Sequence, residues 1–211
     1  EIRKLKFMNI LQTINNGAKK LKRCDIASFK LDSELLLSKI LNKTREQILI
    51  NQDQQISRES LSIFNKLIKR RSLNEPISHI IKVKEFWSKK LFVNKEVLIP
   101  RPETELMVEK LVKIFKKKKR TSILDVGTGS GCILLSLLSE LPNSKGVGID
   151  ISHKALMVAK KNLEKFADLK RIKFLKKSID SKFDGKFDLV VSNPPYIRRS
   201  EINNLDNDIK R

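Results

Sequence analysis

From Leu5 to about Arg71 apolar residues recur three and four positions apart, and no period-two alternation competes with them. The spacing predicts helices within 7–21, 33–41, 45–49 and 58–71. In the last of these Leu61, Phe64, Leu67 and Ile68 share one face, while Arg58, Lys66 and Lys69 face water. Asp32 before Ser33, and Ser57 followed by Ser60, read as N-caps. A bundle of this size without a chemical motif fits a recognition or docking module better than a catalytic one.

The pattern changes at Pro76. Residues 77–83, 85–92 and 95–99 carry β-branched and aromatic side chains in short runs, which predicts one or two hairpins. Pro100 and Pro102 close this stretch. Residues 103–115 return to a helical period, with Leu106, Val108, Leu111, Val112 and Phe115 apolar. Pro102 fits the first turn of that helix, where a missing N–H is harmless. From Ser122 onward strand and helix patterns alternate: strands at 123–126, 146–150, 172–175 and 187–192, helices at 132–141 and 152–166. Such alternation predicts a parallel sheet with right-handed crossovers. The expected organisation is a helical domain at 1–75, a β-hairpin linker at 76–100 and a Rossmann-like α/β domain at 101–211.

Composition adds little to this picture. Hydrophobic residues form 40% of the 211, enough for packed cores. No apolar run reaches the length of a membrane span, and the N-terminus lacks the apolar stretch of a secretory signal. Cys24 and Cys132 cannot form a disulfide framework, and neither they nor His79 and His153 stand at metal-ligand spacing. A reducing cytoplasm is the simplest compartment. The net charge of +21 invites a nucleic-acid reading. The lysines are spread along the chain, however, and their clearest run, Lys116 to Arg120, falls where a loop leaves a helix. The charge is read as a solvated surface, with a nucleic-acid partner kept open.

Two constellations carry chemistry. Gly127, Gly129 and Gly131 form G-x-G-x-G at a strand-to-helix turn, where the missing Cβ atoms let the backbone turn tightly and approach a ligand. Asp125 precedes this turn. Asp150 ends the next strand, about 20 residues on, where a carboxylate takes the two ribose hydroxyls of an adenosine cofactor. The later glycine of a dinucleotide site is missing, and so is the G-K-[ST] of a triphosphate site. A cofactor with an adenosine, no phosphate and a charged amino-acid tail fits better, and S-adenosyl-L-methionine is that molecule.

The second constellation is Asn193-Pro194-Pro195-Tyr196, after the apolar run Leu189-Val190-Val191. An amide or aromatic amine nitrogen is a poor nucleophile because its lone pair is delocalised. The side-chain oxygen of Asn193 and the carbonyl of Pro194 can accept both its hydrogens. Pro194 and Pro195 preorganise these acceptors, and Tyr196 offers a ring for stacking. A sulfonium is already an activated leaving group, so positioning supplies much of the catalysis without a strong base. Cys132, although at a helix N-terminus, reads as a packing residue. Phe86 and Trp87 read as core, with an aromatic lying against adenine as the alternative.

The order helical bundle, Glu85-Phe86-Trp87, Ile99-Pro100-Arg101-Pro102-Glu103-Thr104-Glu105, Asp125 to Gly131, then Asn193 to Tyr196 closely resembles the HemK/PrmC family, methyltransferases of peptide chain release factors. The resemblance implies an S-adenosylmethionine-dependent methyltransferase domain behind a helical domain that docks the release factor. It further implies transfer of a methyl group to the N5 nitrogen of the glutamine in a Gly-Gly-Gln loop. Gly127, Thr128, Gly129, Ser130, Gly131 and Asp150 would hold the cofactor, with Asn193 beside it. Asn193, Pro194, Pro195 and Tyr196 would hold the glutamine amide, and Arg101 and Glu103 would lie near the cover of the site. The acidic residue and large side chain that the family places near the adenine are replaced by Ser178-Ile179, with Asp180 one place late, so Ile179 is the candidate there. No metal is implied, and a monomer is expected. Because Asn-Pro-Pro-Tyr is shared with adenine-N6 methyltransferases, a nucleic-acid N-methyltransferase is the alternative. Family members continue for several strands past the position of Arg211. The expectation from sequence is therefore a truncated chain or fragment, with its fourth strand at a sheet edge and weak or no activity alone.

Overall fold

The computed structural model describes residues 8–166, 170–183 and 186–194. These fall into two compact units, divided after Ile81.

The first unit is helical. Strand β1 (Met8–Asn9) leads into α1 (Ile10–Lys22), whose start is fixed by a capping box. The Asn9 side chain accepts from the Gln12 backbone at 2.8 Å, and the Gln12 side chain accepts from Asn9 N at 3.2 Å. Helix α2 (Phe29–Leu41) and α3 (Arg45–Ile50) follow, then β2 (Gln55–Ile56), α4 (Arg58–Ser72) and α5 (Ile77–Ile81). Ile10, Ile14 and Leu21 of α1, Leu36 and Leu37 of α2, Ile48 of α3, and Phe64 and Ile68 of α4 meet in one core. Each fully buried side chain of this kind contributes about 1.5–3 kcal/mol.

Several expectations need correction here. Residues 8–9 pair antiparallel with 55–56, a short bridge that no alternation announces. Asp32 is no cap: it lies inside α2, which starts after Ser28, and its carboxylate takes Arg71 Nε at 2.7 Å and Ser28 Oγ at 2.7 Å. Both charged partners are buried, so each satisfies the other away from water. Ser57 does cap α4, accepting from Ser60 N. The run 77–83 is no strand. The carbonyl of Pro76 accepts from His79 N and Ile80 N, winding a short helix that drives Ile80 into the core. Burial there overrides β-branched propensity.

The second unit opens with a hairpin of β3 (Lys84–Phe86) and β4 (Lys89–Leu91), joined by Trp87 and Ser88. Both turn residues have positive φ, 51° and 54°, the backbone of a type I′ connection. Residues 95–99 are not a strand. Asn94 forms a local turn, accepting from Glu96 N through its side chain and from Val97 N through its carbonyl. That turn lets Val93 and Val97 pack on Ala155 and Val158. Helix α6 (Pro102–Phe115) has Pro102 at its start, as expected. It buries Val108 and Phe115, while Leu106 is exposed. The lysines after it are exposed, and Lys118 folds over the Phe115 ring at 4.8 Å, in keeping with a solvated surface.

Then come β5 (Ser122–Val126), α7 (Cys132–Glu140), β6 (Lys145–Asp150), α8 (His153–Leu163), β7 (Ile172–Lys176) and β8 (Leu189–Ser192). The four strands form one parallel sheet in the order β7-β6-β5-β8. Ile123, Leu124 and Asp125 of β5 are all buried, as befits a central parallel strand. Within the described sheet β8 is an edge strand, with Val191 buried and Val190 exposed. Gly148 of β6 allows a close approach. A Cβ there would stand 2.7 Å from two carbons of the Phe174 ring and 2.8 Å from Thr128 Oγ1. A Rossmann-like α/β domain preceded in sequence by a helical bundle is thus the architecture. No helix among the described residues is long and apolar enough to cross a membrane.

Candidate active site

The chain runs from β5 outward through β6 to β7, then returns to lay β8 on the other side of β5. At such a reversal the crevice beyond the carboxyl ends of the strands is the ligand site. Register aligns Val126 with Ile149 on one side and with Ser192 on the other. The residues one step further, Gly127, Asp150 and Asn193, therefore stand side by side across the crevice. With strands about 4.8 Å apart, Asp150 and Asn193 are separated by about 10 Å, with Gly127 between them.

The glycine turn is held by its own hydrogen bonds. Gly127, Gly129 and Gly131 all have positive φ, between 53° and 78°, which favours glycine. Thr128 N donates to Ile149 O, Gly129 N to Asp150 Oδ2 at 3.0 Å, and Gly131 N to Thr128 O. These three amides are committed inward, so the loop does not form the ring of free N–H groups that cradles phosphate. Thr128 and Ser130 are buried, and Thr128 Oγ1 donates to Asp125 Oδ2 at 2.7 Å. Gly127 is exposed, and a Cβ built on it would have open space around it. Backbone bare of side chain thus faces the crevice beside Asp150, which is half-buried and takes Ser152 N on Oδ1 at 2.9 Å. Ile179 lies past the end of β7, in a turn closed by Ser178 Oγ donating to Asp180, and is 61% exposed.

On the other side Ser192 Oγ donates to Val126 O at 2.9 Å, tying β8 to the strand that bears the glycine turn. Asn193 is half-buried and Pro194 exposed. Pro195 and Tyr196 lie outside the described residues. Arg101 and Glu103 are exposed at the start of α6. Trp87 is not near the glycine turn. Its Nε1 donates to Glu140 at the far end of α7, about 12 Å along the helix from Cys132, and Phe86 is core.

Two titrating groups are displaced. Burial pushes the Asp125 carboxyl up to about 6, against the hydrogen bond from Thr128 and with the nearby charge of Asp150 adding to the rise. Burial likewise pushes the Cys132 thiol up to about 12, and the hydrogen bond with Ser130 only partly offsets this. The thiol stays protonated and unreactive, as the packing role requires.

Two residues that brace this region were given no role in the sequence reading, although Thr104 lies within its Ile99 to Glu105 stretch. Asn162 of α8 is fully buried and makes three hydrogen bonds, from Phe92 N and to Phe92 O and Ser130 O. It fastens the glycine turn to the segment after the hairpin. Its signal was a polar residue on the apolar stripe Ala155, Leu156, Val158 and Ala159. Thr104 is the second, a buried residue in the first turn of α6 that accepts from Asn193 Nδ2 at 3.3 Å.

A parallel sheet that reverses at a glycine turn, with an acidic residue at the neighbouring strand end, is the architecture of the S-adenosylmethionine-dependent methyltransferases. Residues 102–207 match the methyltransferase small domain, and residues 12–81 match the PrmC N-terminal domain. The release factor glutamine methyltransferase of Buchnera aphidicola subsp. Schizaphis graminum is 44% identical over 202 residues, 96% of this chain and 72% of that one. The protein of the same description in Buchnera aphidicola subsp. Baizongia pistaciae is 41% identical over the same shares. Among solved structures, ribosomal protein L11 methylase from Lactobacillus delbrueckii subsp. bulgaricus is 25% identical, with a TM-score of 0.40 over 48% of this chain and 51% of that one. The chain belongs to the release factor glutamine methyltransferase family.

Proposed function

We propose that this chain methylates the N5 side-chain nitrogen of the glutamine in the Gly-Gly-Gln motif of peptide chain release factors. The observation that supports the reading is the alignment of Gly127, Asp150 and Asn193 across the switch point, on which a nucleoside and a substrate amide would share one crevice. Gly127 to Gly131 and Asp150 would hold S-adenosylmethionine, with Ile179 offering an apolar surface at the neighbouring strand end. When bound, that cofactor supplies a methyl group on a sulfonium, a carbon already activated for transfer. Asn193 Oδ1 and the Pro194 carbonyl accept the two N–H bonds of the glutamine amide, which orients its nitrogen. Held in this way, the amide nitrogen would take the methyl through alignment rather than through a general base, the donor leaving as a neutral thioether and the nitrogen's surplus proton passing to water. The working unit proposed is a monomer in the cytoplasm, where release factors act.

The test is incubation of the chain with methyl-labelled S-adenosylmethionine and either a release factor or its Gln-to-Ala variant. Weak labelling is expected in the first, in line with the sequence expectation for this chain alone, and none in the second. Equal labelling of both overturns the glutamine assignment, and transfer to RNA or DNA instead favours the nucleic-acid alternative.

A further inference from the structure

We propose that the groove between α1 and α4 is a docking surface for an acidic protein segment that carries an aliphatic side chain between its carboxylates. Nothing in this surface depends on which nitrogen is methylated. The two helices pack side by side, and Gly17 lets them close up. A Cβ there would stand 2.6 Å from Phe64 Cζ and 3.0 Å from Ile68 Cδ1. Outside this close approach two cavities of about 310 and 440 Å³ adjoin, sharing Lys20, Arg23 and Asn65. Each falls within the range of about 300–1,000 Å³ usual for binding pockets.

Charge is what marks the groove. Lys19, Lys20, Arg23 and Lys69 line it, all four are exposed, and no carboxylate lines it with them. Among the described residues none of the four forms an ion pair. Lys20 Nζ donates instead to the neutral Oδ1 of Asn65 at 3.0 Å. The neighbours of Lys69 differ, for Arg70 is paired with Glu75 and Arg71 with Asp32. Cations suit the last turns of α1 and α4, where helix carbonyl ends are negative. The helix dipole does not explain why the unpaired ones converge on one pair of cavities. Leu61, Phe64 and Ile68 close the floor beneath them. Carboxylates alone would satisfy the rim and leave that floor wet, whereas an aliphatic side chain between them satisfies both. A single-stranded nucleic acid fits less well, because its bases bind on exposed rings. Phe64, the aromatic residue of the lining, is 1% exposed.

The probe is a short capped peptide of glutamate and leucine, titrated into the 211-residue protein at about 0.1 M salt. Calorimetry reads the affinity, and the side-chain NH2 signals of Asn65 read the location. Those signals are expected to move. The same peptide with glutamine for every glutamate should bind at least about tenfold more weakly. Lys19→Glu combined with Lys69→Glu should lower the affinity for the acidic peptide at least about tenfold. Lys117→Glu combined with Lys119→Glu changes the net charge equally, but after α6, and should lower it less than about twofold. Arg23→Gln is a milder change within the groove. It should weaken binding about threefold, and it keeps the test open if the double reversal disturbs the fold. Equal losses in the two double variants overturn the proposal, since net charge alone then drives association. Binding that leaves the Asn65 signals unmoved also overturns it. So does single-stranded RNA of equal charge that moves the same signals and binds more tightly than the peptide.

Discussion

The carboxyl of Asp125 is 1% exposed, and hydrogen bonds from Thr128 and from the Leu134 backbone only partly offset its burial. Its titration near 6, against an ordinary value of 3.8, has a consequence for stability whose sign can be worked out. Below 3.8 the folded and unfolded states are both protonated, and the group contributes nothing. Between the two values the folded state keeps a proton that the unfolded chain has released. Stability therefore declines as pH rises through this window and levels off above about 6. A shift of about two units corresponds to roughly 3 kcal/mol at full extent. Asp125→Asn is neutral throughout and lacks the slope. Urea unfolding of both proteins should show the variant gaining on the original between about pH 4 and pH 7. A difference that does not vary with pH would count against the assignment. At this scale the sequence was informative where a residue acts through its neighbours in the chain, as Ser57 and Pro102 do. It was silent where the partner is distant. Asp32 looks like a cap until Arg71 arrives from 39 positions away, and Thr104 looks like any polar residue near a helix start until Asn193 reaches it.

Elements were legible when their hydrophobic period was long. The four parallel strands, α7 and α8 fall close to where alternation and spacing put them, and α1 and α4 differ from expectation only at their ends. Short β-branched runs misled, because residues 77–83 and 95–99 are organised by Pro76 and Asn94 rather than by side-chain propensity. The element whose placement matters most to the site is α8, through Asn162. Replacing Asn162 by Ala leaves Phe92 N and Phe92 O, both half-buried, and the buried Ser130 O without this partner. Unmade bonds of this sort cost about 1–3 kcal/mol each, with some recovered by relaxation. A fall of about 3 kcal/mol in unfolding free energy is expected, together with weaker cofactor binding as the glycine turn loosens. Calorimetry and urea titration check the two effects separately. A stable variant with unaltered affinity would show that the turn holds itself.

For the whole molecule the outstanding property is the charge of +21. If it is a solvated surface, single-stranded RNA should bind weakly and without sequence preference, and should be released as salt rises from about 0.05 to 0.3 M. Glutamine transfer at saturating substrate should change little over the same range, and added RNA should neither speed nor compete with it. Inhibition by RNA that persists at the higher salt would instead reveal a nucleic-acid surface. The sheet order holds one more implication, about timing. As a chain leaves the ribosome its N-terminal parts are available first. β5, β6 and β7 emerge in succession and pair as neighbours, so the side of the crevice that holds the glycine turn and Asp150 precedes β8 in the chain. β8 then joins the far side of β5, where Asp188 and Ser122 exchange hydrogen bonds across 66 positions. Birth order thus separates the two halves of the proposed site: on that reading, the residues for the methyl donor would be laid down before those for the acceptor.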